Sequence, residues 1–339
     1  MLERVRTSAK PTWFDSDKCF IDGRWVEPQS RRRLPIEDPS RGVEIGEIAR
    51  GESGDIDAAV EAAERALAGD WGRLTATERG RLMAKLSELI KERVDELAHI
   101  EALDVGKPLK QGRADALAMA RYMEFYGGAA DKLMGETIPY LDGYTVYTLR
   151  EPHGVTGHIV PWNYPMQIAG RTVGAALAMG NACVLKPAEE ACLTSLALAD
   201  LAREAGFPAG ALNVVPGLGE EAGAALAAHP GVRHLSFTGS VTVGALVQEA
   251  AARHVAPVTL ELGGKSPQLV FADAELERAL PFLVNAGIQN AGQTCSASSR
   301  ILVEHKIYDE VVERMAARDR KSTRLNSSHF QVSRMPSSA

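Results

Sequence analysis

The spacing of apolar and polar residues changes character along the chain. Near the N-terminus, CFIDGRWVEP alternates apolar and polar positions around Asp22-Gly23, a dipeptide typical of tight hairpins. Apolar residues then recur every three or four positions, which predicts helices. We expect one near 55–68, one running from a capping box at Thr75–Glu78 through Leu97, and one over about 111–130.

Residues 136–151 interrupt this helical region. They are rich in Thr, Tyr and Val and carry Asp142-Gly143 in the middle, which predicts a two-stranded ribbon. An isolated ribbon is only marginally stable in water. We therefore expect it to pack on another surface or on another subunit.

From residue 154 short apolar strands alternate regularly with helical patterns. The strands are GHIV, ACVLK, LNVVP, HLSFTG and PVTLEL, and the helices between them cover 165–179, 190–205, 220–228 and 240–252. This alternation predicts right-handed crossovers and a doubly wound parallel sheet, which binds ligands at the carboxyl ends of its strands. A strand PQLVF and a helix near 274–291 follow, and the helix leads to Cys295.

The last twenty residues lack any such pattern. They contain six Ser, four Lys or Arg and no acidic residue, which predicts disorder over 319–339. The segment resembles a cloning scar or translated adaptor sequence, although an ordinary disordered tail has the same composition.

Composition excludes several classes of function. The net charge is −6, so the chain has no basic footprint for nucleic acid. Its longest apolar runs are too short to span a membrane, and its start lacks the apolar core of a signal peptide. Four widely spaced cysteines indicate neither a metal site nor a disulfide framework. We expect a cytoplasmic, globular protein with no membrane, nucleic-acid or metal partner.

Two strand ends could bind a phosphorylated cofactor. Ser240 follows HLSFTG and opens a helix, where backbone N–H groups suit a phosphate, although a plain N-cap looks the same. Lys186 and Glu189 end ACVLK and could hold a ribose, or form a surface ion pair.

Cys295 is the candidate nucleophile, because it lies in a polar loop whereas Cys183 lies inside an apolar strand, although the cysteine taken alone favours a structural role. Glu261 ends another strand and could act as a general base, or pair with Lys265. Asn163 lies between two prolines and could donate to an oxyanion, or only shape a rigid turn.

Taken together and in order, these segments resemble one family. PWNYP, KPAE, FTGS, ELGGKSP and GQTC, with the distance from Glu261 to Cys295, resemble the NAD(P)-dependent aldehyde dehydrogenase superfamily over about 19–318. The resemblance implies an α/β fold with a Rossmann-like cofactor domain and the start of an α/β catalytic domain. We expect the cofactor domain at 1–135 and 152–261, an oligomerisation hairpin at 136–151, and a truncated catalytic domain at 262–318.

The resemblance also implies roles for individual residues. Cys295 would add to the aldehyde, Asn163 and the Cys295 N–H would hold the oxyanion, and Glu261 would activate water to hydrolyse a thioester. The residues that would line the cofactor site are Trp162, Lys186, Glu189, Gly219, Gly223, Ser240 and Leu262. Glu189 should favour NAD, with NADP also possible. Tyr164 and Arg171 would face the aldehyde, and Arg171 would suit a polar or anionic end group unless it pairs elsewhere.

The chain also departs from the family pattern. It lacks the E-x-F-G-P segment that follows the cysteine in relatives. We therefore expect a truncated, inactive chain whose full-length form is a homo-oligomeric enzyme. The helix 274–291, with Leu280, Phe282 and Leu283, would lose apolar partners. The alternatives are a non-catalytic dinucleotide-binding fragment and a CoA-acylating semialdehyde dehydrogenase, against which Glu261 argues.

Overall fold

The computed structural model describes residues 12–322, with side chains through Arg318. The chain divides into two compact units between Glu261 and Leu262. The roles that the sequence analysis gives to the two parts stay predictions.

The strands up to residue 262 include a large sheet and two short pairs. They are β1 (Cys19–Ile21), β2 (Arg24–Val26), β3 (Arg33–Asp38), β4 (Val43–Ala49), β5 (Thr137–Ile138), β6 (Val146–Tyr147), β7 (Val155–Val160), β8 (Ala182–Pro187), β9 (Leu212–Val214), β10 (His234–Gly239) and β11 (Val258–Leu262).

The helices of the same part of the chain lie between these strands. They are α1 (Ser53–Ala68), α2 (Asp70–Arg73), α3 (Ala76–Glu92), α4 (Val94–Val105), α5 (Leu109–Ala129), α6 (Pro165–Ala178), α7 (Leu193–Ala205), α8 (Ala224–Ala228) and α9 (Val241–Ala252). A π-helical turn at Gly219–Gly223 leads into α8.

The large sheet has the order β11-β10-β7-β8-β9-β1-β2. Strands β10, β7, β8 and β9 run parallel where they pair. The chain adds β8 and β9 on one side of β7 and then β10 and β11 on the other. This reversal defines a doubly wound sheet, which confirms the predicted fold class. It also places a crevice between the carboxyl ends of β7 and β10, where such sheets bind ligands.

The N-terminal hairpin extends this sheet. Strands β1 and β2 pair antiparallel around Asp22 and Gly23, whose φ angles of 55° and 74° are left-handed as a two-residue hairpin turn requires. Phe20 of β1 then pairs antiparallel with Val214 of β9. The sequence predicted the hairpin, but its partner lies nearly two hundred residues away and left no local signal.

The predicted second helix is two helices. Thr75 caps α3, and its hydroxyl accepts a hydrogen bond from the Glu78 N–H, as expected for a capping box. The helix ends at Glu92, and Leu97 is buried on α4 instead. The single helix through Leu97 was wrong, because Arg93 leaves the helical geometry without any Gly or Pro to signal the break.

The predicted ribbon forms from β5 and β6, with Thr137 opposite Tyr147. Its apolar side chains face solvent within this chain. The exposed members, with their neighbours before and after the ribbon, are Leu133, Met134, Ile138, Tyr140, Leu141, Tyr144, Tyr147 and Leu149. An apolar surface of this kind marks an interaction site more often than a free surface.

The C-terminal unit has its own small core. It contains β12 (Pro267–Val270), α10 (Leu276–Ile288), β13 (Arg300–Val303) and α11 (Tyr308–Ser322), with 3₁₀ turns at Gln289–Gly292 and His305–Ile307. Strands β12 and β13 pair in parallel.

Helix α11, which the sequence analysis did not predict, covers part of α10. Val311 of α11 packs with Val270, Leu280 and Leu283. The expectation that Leu280 and Leu283 lose their partners was therefore wrong, whereas Phe282 is 75% exposed.

Helix α11 also bears on the predicted disordered tail. The backbone of α11 is helical to Ser322. The first four residues of the predicted tail, 319–322, therefore continue an amphipathic helix, and the prediction of disorder was wrong for them. The rest of the predicted tail, 323–339, lies outside the described residues.

Candidate active site

The loop after β7 carries Trp162, Asn163 and Tyr164. Tyr164 is buried at the N-cap of α6, and Pro165 occupies the first helical position, where its missing N–H costs nothing. Asn163 is half-buried and Trp162 is exposed. The short segment between β7 and α6 therefore holds the Asn163 side chain at the carboxyl edge of the sheet.

The loop after β8 joins three of the predicted cofactor residues. The Lys186 ammonium donates to a Glu189 oxygen at 2.7 Å, and the Gly219 N–H donates to the other oxygen at 3.5 Å. A Cβ added at Gly223 would lie 3.9 Å from Lys186 Cδ. The segment after β8 and the turn after β9 therefore lie side by side, which brings Lys186 and Glu189 close to Gly219 and Gly223.

Burial raises the pKa of the Glu189 carboxyl, but the charge and hydrogen bond of Lys186 outweigh burial and hold this pKa below its ordinary value. Glu189 is therefore ionised at neutral pH. Lys186 and Glu189 therefore form the ion pair that was expected as the alternative to a ribose site. The pair lies at the carboxyl end of β8, where a ribose could also bind.

The loop after β10 presents Ser240. Its hydroxyl accepts a hydrogen bond from the Val243 N–H at 3.2 Å, so it is the N-cap of α9. Ser240 is also exposed at the crevice side of the sheet edge. The N-cap role is present, and phosphate binding at the same helix N-terminus stays a prediction.

A pocket of about 660 Å³ lies on one side of the N-terminal unit. Glu261 from β11 and Arg171 from α6 both line it, together with Thr156 and His158 of β7. Burial lowers the pKa of His158 to about 3, so its imidazole is neutral. The structure therefore places the predicted base and the predicted substrate residue at one cavity.

In the C-terminal unit, Cys295 lies on a turn with unusual backbone geometry. Asn290 and Ala291 have φ angles of 50° and 56°, the left-handed region that costs energy for residues with a side chain. The Ser298 N–H donates to the Ala286 carbonyl at 3.1 Å, which ties the turn to α10. Cys295 follows this segment in the chain and is exposed.

The four cysteines differ in exposure. Cys19, Cys183 and Cys192 are buried and Cys295 is exposed. Burial raises the pKa of Cys183 to about 12 and raises that of Cys19 and Cys192 as well. Because the thiolate is the reactive form, the three buried thiols are inert at neutral pH.

A sequence model of the aldehyde dehydrogenase family matches residues 25–333. The chain belongs to the aldehyde dehydrogenase family. The match extends past residue 319, so it includes part of the segment that the sequence analysis set aside as non-native.

Several members of the family are similar to this chain over most of its length. It is 46% identical to the hydroxyisobutyraldehyde dehydrogenase of Mycolicibacterium austroafricanum and 43% identical to human retinal dehydrogenase 2, over 88% and 90% of its own length. The match covers 59% and 60% of those two proteins. The chain therefore spans about three fifths of the curated relatives it matches.

Solved structures agree with this assignment. The NAD⁺ complex of an aldehyde dehydrogenase from Bacillus cereus is 41% identical, with a TM-score of 0.88 over 90% of this chain and 62% of that one. A betaine aldehyde dehydrogenase from Staphylococcus aureus, solved with NAD⁺ and a BME-modified cysteine, is 37% identical, with a TM-score of 0.87 over 90% and 62%.

One more residue of the predicted site is Leu262, the half-buried last residue of β11. Within residues 12–322, no group of His, Cys, Asp and Glu could hold a metal ion. In the same range no helix is both long and apolar enough to cross a membrane.

Sequence reasoning missed a buried ionic cluster beside the Asn163 loop. Lys107 pairs with Glu101 and Asp115, and none of the three side chains is exposed. A Lys in a short connection between two helices ordinarily faces solvent, so nothing in its sequence context indicated burial.

Proposed function

We propose that the full-length protein, this chain continued to the length of its relatives, is an NAD-dependent aldehyde dehydrogenase that uses Cys295 as its nucleophile. The observation that carries the proposal is the exposed Cys295 thiol in a family member whose three other cysteines are buried. The product is the carboxylic acid.

In the first half-reaction the Cys295 thiolate adds to the aldehyde carbonyl carbon and gives a thiohemiacetal. The Asn163 amide and the Cys295 N–H donate hydrogen bonds to the new oxyanion. These bonds stabilise the oxyanion more than the neutral aldehyde, and so they lower the barrier to addition. The carbon then loses a hydride and becomes a thioester. Bound NAD supplies the hydride acceptor.

In the second half-reaction Glu261 removes a proton from water as the water attacks the thioester carbon. The carbon–sulfur bond breaks, the carboxylic acid leaves, and the Cys295 thiolate is regenerated. An exposed carboxylate lining a pocket can reach such a water, and general-base assistance of this kind typically contributes 10²–10⁴-fold.

The proposed dinucleotide site lies at the carboxyl edge of the sheet, around the crevice between β7 and β10. Glu189, ionised beside Lys186, can accept hydrogen bonds from ribose hydroxyls, and Ser240 with the first turn of α9 can hold a pyrophosphate. Trp162, Gly219, Gly223 and Leu262 complete the set carried over from the family resemblance. Because Glu189 repels a 2′-phosphate, we propose NAD over NADP.

The substrate proposal rests on Arg171. Its guanidinium lines the cavity that Glu261 also lines, and a cation there favours an aldehyde with a polar or anionic end group. Tyr164 would contact the same substrate. The relatives named above act on hydroxyisobutyraldehyde and retinal, so family membership alone does not choose between polar and apolar aldehydes.

We further propose that the ribbon of β5 and β6 mediates self-association of the full-length enzyme. Its exposed tyrosines and leucines form the apolar surface described above, and an open ribbon edge can pair with another chain. A cytoplasmic location would be consistent with free thiols.

The decisive assay uses full-length enzyme with NAD, with and without CoA, and a panel of acetaldehyde, benzaldehyde and succinic semialdehyde. Acid and NADH formed without CoA support the hydrolytic reaction. A requirement for CoA would favour the acylating alternative, and NAD binding without any turnover would favour a non-catalytic module. Arg171→Ala should lose preference for the semialdehyde, and an unchanged preference would reject the anion proposal.

A further inference from the structure

The cluster of Lys107, Glu101 and Asp115 has a fixed geometry. The Lys107 ammonium donates to Glu101 at 2.9 Å and to Asp115 at 2.6 Å. An ammonium without exposed surface is tolerated only when it is paired and hydrogen-bonded. The three groups therefore cannot move independently without leaving a buried charge unpaired.

The cluster contacts the first turn of α6 at two points. Lys107 Nζ lies 4.0 Å from the centre of the Tyr164 ring, a cation–π contact in a desolvated site. Asp115 accepts a hydrogen bond from the Gln167 side chain at 2.6 Å. Tyr164 is the N-cap of α6 and Gln167 is its third residue, so both ends of the turn are held.

We propose that Lys107 is a positioning residue for Asn163. Asn163 directly precedes Tyr164, so the ring contact fixes the backbone from which the Asn163 amide projects. The inference rests on the proposed role of Asn163 as an oxyanion donor, because such donors act only within a narrow range of distances. The Lys107 side chain has no exposed surface through which it could contact a substrate, and it acts through Tyr164.

A purely structural role for the same cluster makes a different prediction. Glu101 also accepts a hydrogen bond from Thr194 of α7 at 3.3 Å, so the cluster joins several helices. If Lys107 only stabilised this packing, its removal would have the same effect whether or not the Tyr164 ring were present. If Lys107 acts on the loop, the effect depends on that ring.

The first experiment measures amide hydrogen exchange in this 339-residue chain. Lys107→Met should accelerate exchange over residues 162–168 at least tenfold, whereas Lys110→Met, at an exposed lysine near the start of α5, should change it less than twofold. Tyr164→Phe should behave like the original chain. In a Tyr164→Leu background, Lys107→Met should change the exchange rate over residues 162–168 less than twofold. A tenfold acceleration by Lys107→Met in that background would overturn the proposal.

The second experiment separates this inference from the proposed function. In the full-length enzyme, Lys107→Met should lower kcat at least tenfold with the KM for NAD within twofold. In an Asn163→Ala background the same substitution should change kcat less than twofold. An equal loss in both backgrounds would show that Lys107 does not act through Asn163.

Two further outcomes are informative. A full-length enzyme that oxidises no aldehyde would reject the proposed function, and the exchange result would still decide whether Lys107 holds the loop. If Lys107→Met does not fold, the Tyr164→Leu and Tyr164→Phe pair tests the same contact with the ionic cluster intact. Equal exchange over 162–168 in these two variants would then overturn the proposal.

Discussion

Replacing Glu189 with Gln should shift the enzyme from NAD towards NADP. The substitution keeps the size of the side chain and removes the charge that would face a 2′-phosphate. It also leaves Lys186, whose side chain is only 3% exposed, without its carboxylate partner. The freed ammonium could then pair with the phosphate instead.

The structure sets the size of the shift. Two unit charges about 5 Å apart interact by about 3 kcal/mol at an effective dielectric constant of about 20. Glu189 is 26% exposed, and solvent screening reduces this figure to about 1.5 kcal/mol, a factor of about ten in NADP affinity. Losing the charge-assisted hydrogen bond to the ribose should weaken NAD binding by about 1 kcal/mol, or about fivefold. The ratio of the two dissociation constants should therefore change by about 50-fold.

Isothermal titration calorimetry of full-length enzyme with each dinucleotide measures this ratio. Glu190→Gln is the matched control, because Glu190 is an exposed neighbour on the same turn. The control should leave the ratio unchanged. A ratio within twofold of the original in Glu189→Gln, or an equal shift in the control, would refute the assignment of Glu189 to the ribose.

Three further predictions follow from burial and exposure. Iodoacetamide should alkylate Cys295 in the folded chain well before Cys183, as peptide mass spectrometry would show, and equal labelling would contradict their different exposure. Burial raises the pKa of Glu101 to about 7, so folding favours its protonated form and that stabilisation is lost as pH rises through 7. The melting temperature should therefore fall as the pH rises from about 5 to 7.5, and the melting temperature of Glu101→Gln should fall less over the same range; an equal fall would contradict this. Tyr144→Ser should reduce self-association of the full-length enzyme in sedimentation velocity, and an unchanged mass would argue against the ribbon as an interface.

Local chemistry made much of the fold predictable. The positive φ angles of a two-residue hairpin turn suit Asp22-Gly23, and the reciprocal hydrogen bonds of a capping box suit Thr75 and Glu78. Strands buried on both faces read as short apolar runs, which is why β7 to β10 could be located. Residues that end such strands meet at one edge, so Asn163 and Ser240 could be named as candidate site residues from the sequence, and their roles stay predictions.

The features that could not be predicted depend on contacts between distant residues. The pairing of Phe20 with Val214 leaves no trace in either segment. The break at Arg93 separates two helices with the same apolar period. Lys107 is buried because it is paired with Glu101 and Asp115, which come from two different helices. Each of these depends on a partner that only the folded chain supplies.

The most direct test of the account is to trap the covalent intermediate. Full-length Glu261→Gln enzyme, mixed with NAD and excess aldehyde and then quenched in acid, should form about one NADH per subunit. Mass spectrometry of its peptides should find the acyl group on Cys295, because the thioester forms but its hydrolysis is slowed. An NADH burst with no acyl group on Cys295, or aldehyde oxidation that persists in Cys295→Ala, would contradict the central claim that this thiol is the nucleophile.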